Sequence, residues 1–414
     1  MKQLLSSHKT EIVNTENTLS KTAKIFLVIV CLNGVANSLS SIFVNVYLYK
    51  LSQNLYDVAL FNLVSYLIWA PVFILAGWLS KKTDRKLGLI AGGCFQLLFY
   101  FVLLMLADSA SENIVMLGLI FGIGSGFYWL SVNTISVDVT NQSNRDLFNG
   151  VNGMFNSFSQ MIGPAAAGWI ITLQHGFNGY QIIFTCTFIL FLLSVGLTFL
   201  LPKQLGKETF NWKALWEINK NSEWGQLAFV FSCLAFRDGV LSFAIWIWVY
   251  MITGSEGSLG NYVFLTTTIS MVTYYFIGRF VREKNNWLYI ITGTIGISLA
   301  ILVLVLDVSY TTLLIYGIAS GLFIPLFEVP FNTLSLNTIS KFDLSGKLRI
   351  EMVISREMAL SAGRILSVGG ITYVYTMAPH QSLWVASYML FVIIIGLLSL
   401  FFLKSYRAAI KSAG

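Results

Sequence analysis

Six ionisable side chains interrupt stretches of the chain that are otherwise apolar, and they are its strongest candidates for chemistry. They are Arg237, Asp238, Glu328, Arg356, Glu357 and Arg364. A charge inside a hydrocarbon layer is costly and commonly marks the path of an ion or a substrate. We expect Glu328 to carry a proton, followed in rank by Asp238 and Glu357. Arg237 and Arg364, the cations nearest the middle of their stretches, are expected to attract an anionic group.

The same residues also support a purely structural interpretation. Three cations and three anions cancel, so Arg237 with Asp238, and Glu328 with Arg356, can form internal pairs that only stabilise the protein. Other acidic residues lie near the ends of apolar stretches, where pairing with nearby cations is expected. Structural ion pairs are therefore expected at Arg356, Glu351 and Asp138.

Composition predicts the elements that carry these residues. The chain has 414 residues, of which 56% are hydrophobic and only 11% are charged, whereas soluble domains carry about 25% charged residues. The apolar residues come in blocks of about twenty, each long enough to cross a hydrocarbon layer of ~30 Å. We therefore predict an all-α membrane protein with twelve transmembrane helices. The predicted spans are 24–49, 56–79, 87–107, 113–138, 148–173, 179–202, 226–252, 259–281, 287–306, 310–336, 350–376 and 381–403.

The distribution of cations predicts the orientation of the spans. Outside the spans, Lys50 alone of the 26 Lys and Arg residues falls on the side away from both termini. By the positive-inside rule, both termini are cytoplasmic in a multi-pass protein of the cell membrane. The predicted parts are a tail (1–23), a six-helix bundle (24–202), a linker (203–225), a second six-helix bundle (226–403) and a second tail (404–414). The linker has the pattern of an amphipathic surface helix, formed by Phe210, Trp212, Leu215 and Trp216.

Uncharged polar and aromatic residues give a candidate binding wall. Amides recur every fourth residue in the first span, which places them on one face of a helix. Aromatic and amide residues in spans 4, 5 and 7 extend that surface. The candidate substrate-binding residues of this kind are Asn33, Asn37, Tyr128, Trp129, Asn133, Asn152, Asn156 and Trp246. Hydrogen bonds between helices and anchoring at the membrane interface are the alternative roles.

The two halves of the chain repeat each other. The octamer LIFGIGSG at 119–126 matches LIYGIASG at 314–321, and NTISVD at 133–138 matches NTLSLN at 332–337. Parallel repeats of this kind build transporters from two bundles that rock about a site near the bilayer midplane. Spaced glycines and a Gly-Pro pair also indicate close helix packing. These residues are Gly118, Gly122, Gly126, Gly163 and Pro164.

Two motifs resemble those of the major facilitator superfamily. Residues 77–86 (GWLSKKTDRK) are similar to its loop signature G-x-L-x-D-R-x-G-R-[RK], with Lys81 in place of the acidic residue and Asp84 in place of the second glycine. Gly163-Pro164 resembles the G-P-x-x-G-G element associated with exporters of that family. The resemblance implies two pseudo-symmetric six-helix bundles whose inner ends are held together by the loop. It assigns gating to Gly77, Asp84, Arg85 and Lys86, while the departure at Lys81 implies that other pairs share this role.

The expected function is secondary active transport by alternating access, coupled to protons and directed towards export, of a small or amphipathic organic solute. Two alternatives stay open: a glycolipid or lipid-linked flippase of the cell envelope, and a non-transporting receptor or assembly factor on the same scaffold. No enzyme is expected, because the sequence contains no P-loop or nucleophile elbow. No metal or cofactor is expected, because the four cysteines lack CxxC spacing. The expected partners are the lipid bilayer, the substrate and protons, without nucleic acid, and the protein is expected to be monomeric.

Overall fold

The computed structural model describes residues 19–140, 144–203, 209–218, 220–280, 286–342, 348–377 and 382–413. Within these residues, twelve long helices follow one another and are labelled α1 to α12. They are α1 (Lys21–Ser52), α2 (Leu55–Lys82), α3 (Arg85–Leu106), α4 (Ile114–Asp138), α5 (Arg145–Leu173), α6 (Asn178–Thr198), α7 (Ser222–Thr253), α8 (Glu256–Phe280), α9 (Asn286–Leu306), α10 (Tyr310–Phe342), α11 (Arg349–Met377) and α12 (Ser382–Ala413). A 3-10 turn (Ala107–Asn113) joins α3 to α4, and a short linker helix (Trp212–Ile218) precedes α7.

The helix ends differ most from the predicted span boundaries at three places. α10 continues to Phe342 rather than ending at 336, and α6 ends at Thr198 rather than 202. α12 continues to Ala413, so residues predicted to form the second tail extend this helix instead. Residues 1–18, most of the predicted first tail, lie outside the described residues.

The length and polarity of the helices identify a multi-pass membrane protein. Eight segments of the described chain are long and apolar enough to cross a membrane, and one of them, Arg85–Asp138, contains both α3 and α4. α5, α8 and α11 have similar lengths but are more polar and are not among these segments. Crossing by these three helices stays a prediction. Their polarity suits a position between the two halves of the protein, where polar side chains avoid lipid.

The first helix of each half ends in the same type of C-terminal cap. Gln53 after α1 and Gly254 after α7 both have left-handed φ angles, of 53° and 62°. Each donates its N–H to the carbonyl four residues back, on Tyr49 and Tyr250. Such a cap turns the chain sharply out of the helix. We call the side that carries these two turns the outer side, and the side that carries the linker helix the inner side; the cation distribution predicts the inner side to be cytoplasmic.

Repeated glycines pack equivalent helix pairs together in the two halves. A Cβ added at Gly122 would lie 2.5 Å from the backbone oxygen of Ser65, so α4 approaches α2 more closely than a larger residue permits. A Cβ at Gly321 would lie 3.0 Å from the backbone oxygen of Thr266, so α10 approaches α8 in the same way. The other glycines on these faces are Gly118 and Gly126 in α4 and Gly317 in α10. The repeated sequence therefore forms the same close helix contact in each half.

Replacing Gly122 by valine should destabilise the first half, because the new side chain meets backbone that cannot move aside. Overpacking of this kind costs about 1–3 kcal/mol. We expect Gly122→Val to lower the midpoint of thermal unfolding of the purified protein relative to Gly196→Val. Gly196 lies in α6 with open space beside it, so this control makes the same substitution in a helix without a clash. Equal midpoints for the two variants would contradict the close α2–α4 contact.

Candidate functional site

Arg237 and Asp238 form a bidentate ion pair in the middle of α7. Arg237 Nε donates to Asp238 Oδ1 at 2.7 Å, and Nη2 donates to Oδ2 at 3.1 Å. The arginine side chain is only 2% exposed, and its guanidinium carbon lies 5.5 Å from the ring centre of Phe327 in α10. A Cβ added at Gly396 of α12 would lie 3.3 Å from Cδ of Arg237, so α12 passes close to this side chain. Arg237, predicted to attract an anionic group, is thus buried and already neutralised by its neighbour.

The carboxylate of Asp238 faces the space between the two halves. Its side chain is 56% exposed, although α7 is the most enclosed of the eight apolar segments. Ser242 lies one turn further along the same face of α7, and its hydroxyl is 3.3 Å from that of Tyr66 in α2. That face of α7 therefore points towards the first half, and Asp238 lies on it.

Of the three carboxylates expected within the spans, Asp238 and Glu357 each form an ion pair, whereas Glu328 of α10 has no ion pair with a cation among the described residues. It accepts a hydrogen bond from the hydroxyl of Tyr274 in α8. It also interacts electrostatically with both Arg237 and Asp238. Because Arg237 and Asp238 neutralise each other, this group of side chains carries one carboxylate in excess. An excess carboxylate among helices is the kind of group that binds a proton or a cation.

A second group of charges lies on α11 and joins the halves. Arg364 Nη1 donates to Glu357 Oε1 at 2.8 Å. The guanidinium carbon of Arg364 also lies 5.6 Å from the ring centres of Tyr66 and Trp69 in α2. These are cation–π contacts across the junction between the halves. Arg364 and Glu357, predicted to bind substrate and to carry a proton, therefore lie together in one internal pair.

The observed pairs agree with the structural interpretation at one place and differ at another. Arg237 pairs with Asp238, as that interpretation holds. Glu328 and Arg356 do not pair: the carboxylate is bound by Tyr274. Among the described residues, Arg356 Nε has no hydrogen-bond partner.

A polar cavity of about 280 Å³ lies within the first half. Five of the predicted binding residues line it: Asn37, Tyr128, Trp129, Asn152 and Asn156. It also contains Gln96 of α3, which the sequence analysis did not select because the predicted span 87–107 contains no ionisable residue. The buried Oε1 of Gln96 and the buried Nε1 of Trp69, another lining residue, lack hydrogen-bond partners within the described chain. A lone amide in an apolar helix was the signal that pointed to Gln96.

Three predicted binding residues lie elsewhere. Asn33 is 2% exposed, and its amide donates to the hydroxyl of Ser194 in α6 and to the backbone of Ile29. Asn133 lines a smaller pocket of about 180 Å³ at the inner side, together with residues of α11. Trp246 lines another pocket of about 180 Å³ towards the outer side. Asn62 also lines this pocket, although the sequence analysis did not select it. These three residues do not join the main cavity, because helix rotation in the packed bundle places them on other faces.

A buried ion pair joins α2 to α11 at the inner side. Lys81 Nζ donates to both carboxylate oxygens of Glu351, at 2.8 and 2.9 Å, and the two side chains are 1% and 0% exposed. The backbone N–H of Asn211, just before the linker helix, donates to the same carboxylate at 2.9 Å. A Cβ at Gly77 would meet Ile354 of α11 at 2.4 Å, so this glycine lets the two helices approach. Lys81, which stands in place of the acidic residue of the family motif, therefore contributes an ion pair between the halves.

The remaining residues of the loop motif bind within the first half. Asp84 caps α3 by accepting a hydrogen bond from the N–H of Lys86 at 3.2 Å. Arg85 pairs with Asp138 at the end of α4. Lys86 Nζ donates to the carbonyl of Leu201 at 2.9 Å, after the end of α6. These contacts fix the loop that follows Lys81, and the gating role implied for these three residues stays a prediction.

The linker helix covers this junction. Leu215 is 1% exposed and packs in a cluster with Phe73 of α2 and Ile350 of α11. Trp212 and Trp216 are 49% and 61% exposed, which agrees with an amphipathic helix at the membrane surface. Residues 204–208 and 219 of the predicted linker lie outside the described residues.

At the outer side, α5 and α8 join the halves. Gly257 N–H donates to Thr172 Oγ1 at 2.8 Å, and Trp169 Nε1 donates to Asn261 Oδ1 at 3.0 Å. Close approach is possible because glycines meet backbone: a Cβ at Gly260 would lie 2.7 Å from the carbonyl oxygen of Pro164, part of the exporter-like Gly-Pro element. α5 and α8 are therefore packed tightly through their outer halves.

A further ion pair closes the outer side. Lys50 Nζ donates to Glu256 Oε1 at 2.8 Å, and the hydroxyl of Tyr180 donates to the same oxygen at 2.8 Å. The ammonium group also lies 5.2 Å from the ring centre of Tyr180 and 5.8 Å from that of Tyr250. Lys50, the single cation that the sequence places on the outer side, thus links α1 to α8. No local pattern identifies its partner, because Glu256 is distant in the chain.

Comparison with known proteins places the chain among transporters. The sequence profile of the Major Facilitator Superfamily matches residues 26–346. The chain is 35% identical over 336 residues to the uncharacterized protein YqgE of Bacillus subtilis (strain 168), an alignment that covers 81% of this chain and 78% of that protein. It is 39% identical over 161 residues to an uncharacterized protein in the sodM 3′ region of Geobacillus stearothermophilus, covering 38% of this chain and 75% of that protein.

Breaking the Lys81–Glu351 pair on one side should be strongly destabilising, because it leaves a buried charge without a partner. Such a loss costs about 3–5 kcal/mol, whereas apolar replacement of both partners is often close to neutral. We expect Lys81→Met to lower the thermal midpoint sharply and Lys81→Met with Glu351→Met to recover most of the loss. Lys213→Met is the control, because its pair with Glu217 is 82% and 57% exposed and is worth about 0.5 kcal/mol. A double variant as unstable as the single one would contradict a coupled pair.

Proposed function

The chain belongs to the major facilitator superfamily, and from this premise we propose that it is a proton-coupled secondary transporter that exports an organic solute by alternating access. The protein is a transporter by family. Proton coupling, export and the organic nature of the solute are the proposal. It also holds that the protein works in the cell membrane as a monomer, with lipid, protons and the solute as its partners.

The observation that carries the proposal is the excess carboxylate of Glu328. Its neighbour Asp238 is compensated by Arg237 through two hydrogen bonds, while the hydrogen bond described for Glu328 comes from the neutral hydroxyl of Tyr274. A carboxylate without a cation is stabilised in the membrane interior when it binds a proton or a positively charged group. Gain and loss of a proton at Glu328 would change the net charge of the space between the halves by one unit. Such a change biases one orientation of the halves over the other, which is what coupling requires.

The two ion pairs at the inner and outer sides support the alternating-access part of the proposal. Glu351 with Lys81 closes the inner side at α2 and α11, and Glu256 with Lys50 closes the outer side. Both pairs connect opposite halves, so each must break when its side opens. The polar cavity lined by Asn152 and Trp129 lies in the first half, and the excess carboxylate lies in the second. A solute held between the halves would touch both.

Replacing Glu328 by glutamine should abolish the coupling, because the amide keeps the size of the side chain and cannot exchange a proton. Proteoliposomes that contain the pH dye pyranine would be exposed to a panel of organic cations, anions and neutral amphiphiles under an imposed pH gradient. We expect the wild type to dissipate the gradient with at least one class of solute, and Glu328→Gln to do so with none. Glu217→Gln, the same substitution at an exposed linker residue, should behave as the wild type.

The outcomes separate the alternatives that the sequence left open. Wild-type protein that moves no solute and no protons would favour a receptor or assembly factor. Solute-driven proton flux that persists in Glu328→Gln would remove Glu328 from the coupling role. Movement of a fluorescent glycolipid headgroup between leaflets, without proton flux, would favour the flippase. Thermal midpoints of the two variants close to that of the wild type would show that each is folded.

A further inference from the structure

Two polar groups of the first-half cavity are buried and make no hydrogen bond within the described chain. Gln96 of α3 is 3% exposed, and its Oε1 has no partner. Nε1 of Trp69 in α2 is also buried without a partner, and both side chains line the cavity of about 280 Å³. A buried donor or acceptor that lacks a partner costs about 1–3 kcal/mol. A bound molecule that supplied both hydrogen bonds would remove this cost.

Gly124 of α4 makes room for the side chain of Gln96. A Cβ added at Gly124 would lie 3.2 Å from Cγ of Gln96 and 3.2 Å from its backbone nitrogen. Gly124 belongs to the octamer at 119–126, and Ala319 stands at the matching position of the octamer at 314–321. One of the two differences between the octamers therefore lies where the amide of Gln96 passes α4.

The wall of the cavity is uncharged and combines amides with aromatic rings. None of the described residues that line it is an Asp, Glu, Lys or Arg. Asn37, Asn152 and Asn156 supply further amides, and Trp129, which is 46% exposed, supplies a flat apolar face. An ion would lose hydration in such a cavity without gaining a counter-charge. A neutral group can instead exchange its hydrogen bonds with water for hydrogen bonds with the amides.

The size of the cavity suits one ring-sized part of a larger solute. Pockets that enclose drug-sized ligands have about 300–1,000 Å³, and this cavity is slightly smaller. Asn156 and Trp129 are both exposed, so part of the wall is reachable from outside. A solute can therefore insert one end here while the rest of it stays between the halves.

The two unpartnered groups require a ligand that both accepts and donates a hydrogen bond. The indole N–H of Trp69 needs an acceptor, and the amide oxygen of Gln96 needs a donor. A carboxylate only accepts hydrogen bonds, and an ammonium group only donates them. A carboxamide does both through its carbonyl and N–H groups, and a hydroxyl does both through one oxygen. The complementary group is therefore a neutral carboxamide or hydroxyl.

We propose that the first-half cavity is a subsite for a neutral end of the solute, where Gln96 and Trp69 select a carboxamide or a hydroxyl group. This inference rests on the proposed function, because it names the chemical class that the first half recognises in the solute. The ring of Trp69 also lies 5.6 Å from the guanidinium carbon of Arg364 in α11. Binding at the indole N–H therefore acts on a residue that joins the two halves.

Small probes that share one aromatic ring test the neutral class. Radiolabelled benzamide would be titrated onto the purified protein in lipid nanodiscs, and binding to empty nanodiscs would be subtracted. We expect saturable binding of benzamide and about tenfold weaker binding of N,N-dimethylbenzamide, which accepts a hydrogen bond but cannot donate one. This difference is the equivalent of ~1.4 kcal/mol. Benzoate should not displace benzamide, because the cavity offers its charge no partner.

The same titration distinguishes the two neutral groups and can contradict both. Displacement of benzamide by a lower concentration of benzyl alcohol would identify the hydroxyl as the preferred group, and a higher required concentration would identify the carboxamide. Absence of saturable binding by either probe would show that the cavity holds water only. Displacement of benzamide by an equal concentration of benzoate would overturn a neutral subsite.

Gln96→Met tests the acceptor, because it keeps the length of the side chain and removes the amide. We expect the tenfold difference between the two benzamides to shrink to within about twofold. Without ligand, the variant should raise the thermal midpoint, because it removes a buried group that lacks a partner. Gln226→Met is the matched control. The Oε1 of Gln226 is also buried and unpartnered, but this residue lies on α7 and does not line the cavity.

The control separates the binding role of Gln96 from a structural one. Gln226→Met should raise the midpoint as well, yet keep the tenfold difference between the probes. Trp69→Phe, which keeps a ring and removes the N–H donor, should weaken both benzamides by a similar factor. A lower midpoint in Gln96→Met together with an unchanged difference between the probes would overturn its assignment to ligand recognition.

The outcomes of the two proposals can be told apart. If the probes bind as expected and no organic solute drives proton flux in the pyranine assay, the proposed function fails while the subsite stands. If a solute drives proton flux equally through the wild type and Gln96→Met, and neither benzamide binds, the subsite fails while the proposed function stands.

Discussion

The buried pair of Lys81 and Glu351 is the constraint on which the arrangement of the two halves depends. Two charges that are 1% and 0% exposed lose their hydration, and only mutual attraction with complete hydrogen bonding offsets that cost. Both carboxylate oxygens accept from Lys81, and the backbone of Asn211 supplies a further donor. Separation of α2 from α11 would therefore expose or strand charge, and would also undock the linker helix. In the proposed alternating-access cycle, the inner side opens only when this pair breaks.

Sequence reasoning located the helices and the charged positions well, because both depend on local pattern. Blocks of apolar residues mark helices regardless of partner, and the glycines of α4 pack as their spacing indicates. The pairings depend on distant helices. Lys81 was recognised as a departure and Glu351 as a member of an ion pair, but nothing local joins residues on α2 and α11. The same holds for Lys50 and Glu256. It also holds for Tyr274, whose hydroxyl donates to Glu328, the carboxylate that the structural interpretation paired with Arg356.

The rotation of each helix decided which polar residues reach the cavity. Asn33 and Asn37 are one turn apart in α1, yet the amide of Asn33 is directed to Ser194 of α6, whereas Asn37 lines the cavity. A polar stripe in the sequence can therefore include both a residue that bonds to a neighbouring helix and a residue that lines the cavity. Gln96 shows the reverse case, since a helix that is apolar overall still contributes one amide to the interior. Periodicity selects a face to within about one residue's rotation, ~100°, and that uncertainty separates a lining residue from a buried one.

The repeat preserved the scaffold and let the chemistry of the two halves diverge. The caps of α1 and α7 and the glycine contacts of α4 and α10 are equivalent, but the amide-lined cavity lies in the first half and the ion pairs formed within a single spanning helix lie on α7 and α11. Within the second half, Arg237 has a specific consequence. Two neighbouring carboxylates repel each other in a medium of low dielectric constant, and the bidentate contact from Arg237 offsets much of the charge of Asp238. Glu328 therefore faces an ion pair rather than a lone second anion. A pair formed within one helix thus shapes the electrostatic surroundings of the carboxylate on which the proposed proton coupling rests.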